Sequence, residues 1–460
     1  MEKKNAWKNY TEQDLVQLYA ISDEYSEMIS RCKTEREWTR AIVERLEQNG
    51  YRSLDERIQE KKALNPGDKI YSVQMGKAVL SFHLGENPLE QGMNIVGAHI
   101  DSPRLDLKQN PLYEEAGIAY ADTHYYGGIK KYQWVSHPLA LHGVAVRKDG
   151  SIVQIEIGEK DEDPVVGISD LLIHLSGEQM GKKLSEGVTG EDLDLILGGR
   201  PLEGEEKEAV KAMVLKLLKD KYNIEEEDFL SAEIEAVPAG KARDFGLDRS
   251  MIIGYGHDDR VCAFAELKAI EAIREIPAYT CCGMFVDKEE IGSVGATGMR
   301  ANYLENAVAE ILNLSGDFRE ISLRRALKNS RMLSCDVSAG FDPLYASAFE
   351  KKNAAFLGSG VCFNKFTGRG GKSGSNDANA EYIGKLRRIM DQKGICWQTA
   401  ELGKVDIGGG GTIAYICALY GMEVIDSGIP VLSIHAPYEI INKADLFEGV
   451  RAYHAFMMEA

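Results

Sequence analysis

The 460-residue sequence predicts an α/β protein: a central mixed, mainly parallel sheet covered on both faces by helices, interrupted by an inserted, mainly β domain. Two observations carry this. Apolar, strand-like runs at 251–254, 280–286, 332–335 and 423–434 alternate with helix-patterned segments at 261–273, 378–393 and 412–419. Between about Tyr113 and Pro238 the composition changes, with alternating stretches at 142–147 and 151–157 and then a strongly charged region at 187–228. The chain is longer than one hydrophobic core usually serves, which predicts two domains: a discontinuous one of residues 1–112 and 239–460, and an inserted one of residues 113–238.

The elements follow in order. Residues 6–49 carry apolar positions near helical spacing (Leu15, Leu18, Tyr19, Ile21, then Trp38, Ile42, Val43, Leu46), broken around 32–34, which predicts two opening helices. Residues 71–80 and 93–98 read as strands. The second is an uninterrupted apolar run ending in the polar cluster His99, Asp101, Ser102 and Pro103, the pattern of an active-site loop leaving a buried strand. The charge run at 203–208 reads as a solvated helix face. Residues 368–375 and 408–411 are glycine-rich loops.

Composition excludes some classes of function. A formal charge of −18, from 54 basic and 72 acidic side chains, argues against general nucleic-acid or anionic-membrane binding, which needs a basic footprint. The longest apolar runs are far short of a bilayer span. Residues 1–23 are charged from the second position and lack the pattern of a secretory signal, so the expected location is the cytoplasm. The eight cysteines include one adjacent pair, Cys281 and Cys282, and no Cys-x-x-Cys spacing, and they read as reduced, mostly buried thiols.

Five short segments place His, Asp or Glu just beyond an apolar run, where open α/β sheets gather ligands. They contain His99 and Asp101; Asp258 and Asp259; Glu289 and Glu290; Asp336; and His435. Two imidazoles and several carboxylates suit zinc, cobalt or manganese, and with one Asp bridging, five ligands hold two ions. Singly each signal is weak, since a histidine after a strand is usually structural and an Asp-Asp-Arg turn is usually a helix cap or a surface ion pair. Adjacent Glu289 and Glu290 carry more, because neighbouring carboxylates are costly to bury unless a cation neutralises them.

The ordered set His-x-Asp, Asp-Asp, Glu-Glu, Asp and a C-terminal His resembles the clan of co-catalytic zinc aminopeptidases. More closely, AHIDSPRL, GHDDRVCAFAEL, DKEEIGSVGATG, CDVSAGFDP and SIHAPYEIINKADL resemble the aspartyl aminopeptidase family, in order and over nearly the whole chain. The resemblance implies a fold of the zinc exopeptidase type and two divalent ions per subunit, zinc first, with cobalt or manganese as alternatives. His99 and Asp336 would bind one ion, Glu290 and His435 the other, and Asp258 would bridge. Asp101 would orient the His99 imidazole. Glu289 would act as general base, taking a proton from a metal-activated water that attacks the first peptide carbonyl and returning it to the leaving amine.

Substrates would then be peptides with a free N-terminus, and the resemblance implies preference for Asp or Glu as first residue. Donors for such a carboxylate would come from Lys365, Arg369, Lys372 or the amides of Gly409, Gly410 and Gly411. Gly410, Gly411 and Thr412 read equally as a substrate-facing loop or as the lead-in to a helix. His174, in Leu172-Ile173-His174-Leu175, reads as a core residue of an apolar strand, or by resemblance as a group reaching a neighbouring subunit's active site. The inserted domain would drive assembly into a homo-oligomer built from dimers. Residues 127–134 and 406–412 depart from the family pattern, which bears on pocket shape and not on the metal set. Two other readings compete: another amide hydrolase of the clan (a deacylase or carboxypeptidase), and a metal-bound scaffold without turnover. The pairing of Glu289 with Asp101 argues against the scaffold, since neither is needed merely to hold metal.

Overall fold

The structure, a computed structural model, describes residues 4–460, so the first three residues of the predicted 1–112 segment lie outside the described residues. The chain divides into two compact units. The first holds the chain up to Asp101, then Arg243–Ile434 and Glu439–Ala460; the second holds Ser102–Ala242 with His435–Tyr438. The position expected for the start of the insertion, 113, falls inside the strand Arg104–Glu115 of the second unit.

In the first unit, the described residues form a nine-stranded mixed sheet. Its order is Arg52–Ser53, Lys69–Gln74, Ala78–His83, Thr280–Val286, Met93–His99, Arg331–Ser334, Glu423–Gly428, Val361–Asn364 and Trp397–Thr399. Thr280–Val286, Met93–His99, Arg331–Ser334 and Glu423–Gly428 are parallel neighbours in the middle. Their side chains (Met93, Ile95, Cys282, Met284, Met332, Val424) pack with Val308 and Ile311 into a continuous core, as burial of central parallel strands requires. The two predicted opening helices are Glu12–Arg31 and Glu35–Gln48, each started by a capping box, on Thr11 with Asp14 and on Thr34 with Glu37. A smaller sheet in this unit pairs Arg243–Phe245, Met251–Gly254, Glu439–Asn442, Pro430–Leu432 and Ser338–Ala339.

The second unit is mainly β. Its seven strands run in the order Ala232–Pro238, Arg104–Glu115, Ile118–Tyr126, Leu195–Gly198, Val166–Gly167, Pro138–Val146 and Ile152–Ile157. Ala232–Pro238 also pairs with Pro138–Val146, which closes the sheet into a small barrel and removes two edges.

Several local expectations need correction. The single strand expected at 71–80 is two strands, because Met75 and Gly76 both adopt positive φ (50° and 68°) and turn the chain back on itself. The run 423–434 is also two strands, Glu423–Gly428 and Pro430–Leu432, which enter different sheets. Residues 203–208 are exposed but precede the helix Ala209–Tyr222 and are not part of one. The apolar stretch around His174 is not a strand: it is a turn with Leu172, Ile173 and Leu175 all exposed. Seven of the eight cysteines are buried and all are free thiols. Among the described residues, no helix is long and apolar enough to cross a membrane.

Candidate metal centre

Three neighbouring parallel strands end at one edge of the large sheet. Val286 lies opposite His99, and Ser334 opposite Gly97, so His99, the residues just past Val286 and those just past Ser334 emerge together. Asp258 comes from the first turn of the helix His257–Ala272, where Asp258 and Asp259 both leave helical φ/ψ (−84°, 110° and −109°, 23°). As a result, His99, Asp258 and Asp336 each offer a ligand atom within 4.8 Å of the others. Asp258 and Glu290 also approach within 4.8 Å. His435 belongs to the second unit, where its Nδ1 lies 2.8 Å from the Gly128 carbonyl.

The tautomer of His99 follows from its partner. Its Nδ1 is 3.0 Å from the backbone oxygen of Asp101, which can only accept, so Nδ1 carries a proton and Nε2 is the atom left to meet a cation or a second proton. Nε2 faces Asp258 Oδ1 at 3.2 Å and Glu289 Oε2 at 3.9 Å in a buried setting. Two electron-rich atoms repel at that distance unless a cation or proton sits between them. Burial pulls the His99 imidazole down, but Asp101, Asp258 and Glu289 outweigh it and hold its pKa well above the usual histidine range. Burial and the neighbouring Asp258 and Glu289 carboxylates push Asp336 up. An imidazole and carboxylates gathered at such cost are the donor set of a zinc-type ion, and the residues fit one.

Asp101 does more than face the imidazole. Its carboxylate is fully buried, with Oδ1 3.4 Å from His99 Nδ1. The same group accepts the backbone N–H of Glu289 on Oδ1 and that of Glu290 on Oδ2, each at 3.2 Å. The two glutamates stand on a 3-10 turn, Glu289–Ile291, entered through Lys288 in the left-handed region (φ 68°). A residue that sequence reasoning passed over is Glu439, which accepts the backbone N–H of Asp258 at 2.9 Å. Its signal was a carboxylate opening an apolar strand (Glu439, Ile440, Ile441).

The expected substrate-side residues are placed less simply. The Gly410 N–H already donates to the Thr367 carbonyl at 3.0 Å, and Thr412 Oγ1 accepts from Ala414 N at 3.3 Å, ahead of the helix Ala414–Ala418. Gly411 is exposed. The two glycine-rich loops touch at Gly409 (φ 112°), where a Cβ would stand 2.6 Å from the Arg369 Cα. Lys365 and Lys372 both pair with Asp377, at 3.3 and 3.2 Å. His174 is exposed.

The model of the Aminopeptidase I zinc metalloprotease (M18) family matches residues 28–457 of the chain. The chain belongs to the M18 family. A probable M18 family aminopeptidase 1 from Clostridium acetobutylicum is 55% identical over 457 residues, covering 99% of this chain and 98% of that one. The crystal structure of the M18 aminopeptidase from Thermotoga maritima superposes with a TM-score of 0.95 at 46% identity, covering all of both chains. At 20% identity the Saccharomyces cerevisiae mApe1 dodecamer shares the fold, with a TM-score of 0.76 over 95% of this chain and 96% of that one. This M18 chain is therefore a metal-dependent aminopeptidase of a zinc metalloprotease family, consistent with the resemblance to aspartyl aminopeptidases.

Proposed function

We propose that this M18 aminopeptidase works with two divalent ions, His99 and Asp336 holding one, Glu290 and His435 the other, and Asp258 shared. The observation that carries the reading is the buried His99 Nε2 standing 3.2 Å from Asp258 Oδ1, with Asp336 in the same group. His435 suits its place because its Nδ1–H donates to the Gly128 carbonyl and leaves the Nε2 lone pair for an ion.

Ions bound there, zinc or in its place cobalt or manganese, would acidify a water and polarise the scissile carbonyl. Glu289 is the general base: its side chain is partly exposed, lies 3.9 Å from His99 Nε2, and rests on a turn clamped by Asp101. Glu289 takes the water's proton and delivers it to the leaving amine. Asp101 keeps the His99 proton on Nδ1 and both glutamates aimed.

For the first residue of the substrate, an acidic side chain is the reading the family resemblance supports, with Arg369 as the donor. A neutral first residue is the second reading, favoured by Asp377, which already pairs with both Lys365 and Lys372. The exposed apolar turn at Leu172, Ile173 and Leu175 supports a homo-oligomer built from dimers through the inserted unit, with His174 carried to a neighbouring subunit. The yeast mApe1 dodecamer, which shares the fold, agrees with assembly into an oligomer. We place the enzyme in the cytoplasm. The test is metal analysis coupled to a substrate panel: amino-acid anilides and free-N-terminus peptides should turn over with metal, and N-acylated peptides with a free C-terminus should not. Turnover of N-acyl substrates would move the chain to the deacylases.

A further inference from the structure

We propose that Glu439 is a positioning residue of the metal centre: it holds the backbone at Asp258 so that the shared carboxylate is aimed at both ions. The inference rests on the two-ion reading above.

Glu439 opens the strand Glu439–Asn442 and is only 1% exposed, although it is a carboxylate. That strand pairs antiparallel with Met251–Gly254, with Gly254 opposite Glu439. Gly254 leads through Tyr255 and Gly256 into His257 and Asp258, so the pairing delivers Glu439 to the start of the following helix. There its Oε2 accepts the Asp258 N–H at 2.9 Å in a buried setting.

That N–H is one of the donors a helix start leaves unsatisfied, and a carboxylate is a stronger acceptor for it than a neutral oxygen. Asp258 stands at φ −84°, ψ 110°, outside the helical region. Regular helix bonding does not specify that conformation, and the bond to Glu439 anchors the backbone there. A buried carboxylate is also an expensive acceptor where a serine or asparagine would cap a helix at less cost. The charge has a use here, because a negative group bonded to the backbone of an aspartate ligand strengthens the field that holds the cations.

The test compares apo wild type with Glu439→Ala, Glu439→Gln and Glu439→Asp. Each is titrated with Co2+, reading the visible absorption of the bound ion and its affinity against a competing chelator, with kcat and KM for an amino-acid anilide alongside. Glu439→Ala should weaken Co2+ binding by at least ~10-fold, alter the spectrum and lower kcat similarly, with KM changed less than about twofold. Glu439→Gln keeps the accepting oxygen and should restore the spectrum, with part of the affinity loss remaining from the missing charge. Glu439→Asp is too short to reach and should behave as Ala. A folded Ala variant with wild-type affinity, spectrum and kcat overturns the inference. Should Ala fail to fold, wild-type affinity and spectrum in the Asp variant overturn it instead. Failure of the two-ion reading looks different: the wild type itself would bind fewer than two Co2+ ions, or turn over without metal.

Discussion

The backbone N–H of Glu289 donates to the carboxylate of Asp101 at 3.2 Å, across 188 residues of sequence. One buried carboxylate, 3.4 Å from His99 Nδ1, thus ties the strand end that presents His99 to the turn that presents Glu289 and Glu290. Asp101→Asn keeps one accepting oxygen and turns the other into a donor that opposes a backbone N–H. Activity should fall by roughly 10–100-fold, with weaker metal binding in the same protein. Chelator competition and kinetics on a folded variant check it, and wild-type values for both would remove the clamp from the account.

Glu289→Gln tests the proton step alone. The amide is isosteric but cannot take a proton, so bound metal should stay as in the wild type while kcat drops by at least ~10²-fold. Near-normal turnover would assign the base elsewhere.

Gly428 is where the strand Glu423–Gly428 passes against the backbone of Asp336. A Cβ there would stand 1.8 Å from the Asp336 carbonyl oxygen, so the Asp336 backbone must move to admit it. Gly428→Ala should lose bound metal and activity together in a protein with native far-ultraviolet circular dichroism. Full metal content in that variant would show that Asp336 does not hold an ion from this position.

Asp426 gives a pH signature. Burial pushes its carboxyl up to about 7, against weaker opposing hydrogen bonds from Thr412 and Ser334. A raised folded pKa means that its stabilising contribution is complete below the unfolded value near 4 and is lost as pH rises through 7. Asp426→Asn mimics the protonated form and removes that loss. The stability of the variant relative to wild type should therefore rise by roughly 2–3 kcal/mol between pH 5 and pH 8. Urea unfolding of both proteins at both pH values checks this, and a flat difference contradicts it.

The sequence made the strand ends legible because apolar runs that stop abruptly at His99, Asp336 and His435 are a pattern the fold leaves in one dimension. The opening helices were legible for the same reason, since period and cap residues are local. Asp101's hold on Glu289 and Glu439's hold on Asp258 were not, because each joins a side chain to a distant backbone N–H that has no residue-type signature. The turn at Leu172 and Ile173 misled because apolar content reads as a buried strand, whereas these side chains are exposed. The turn at Met75 was hidden by a residue that seldom takes positive φ.

The central claim is that Asp258 is shared by two ions. Metal content measured by mass spectrometry on wild type and Asp258→Asn, with hydrolysis assayed on the same samples, tests it most directly. The account predicts two divalent ions per wild-type subunit, and loss of both ions and of activity in the variant. One ion in the active wild type, or a variant that keeps both, would contradict it.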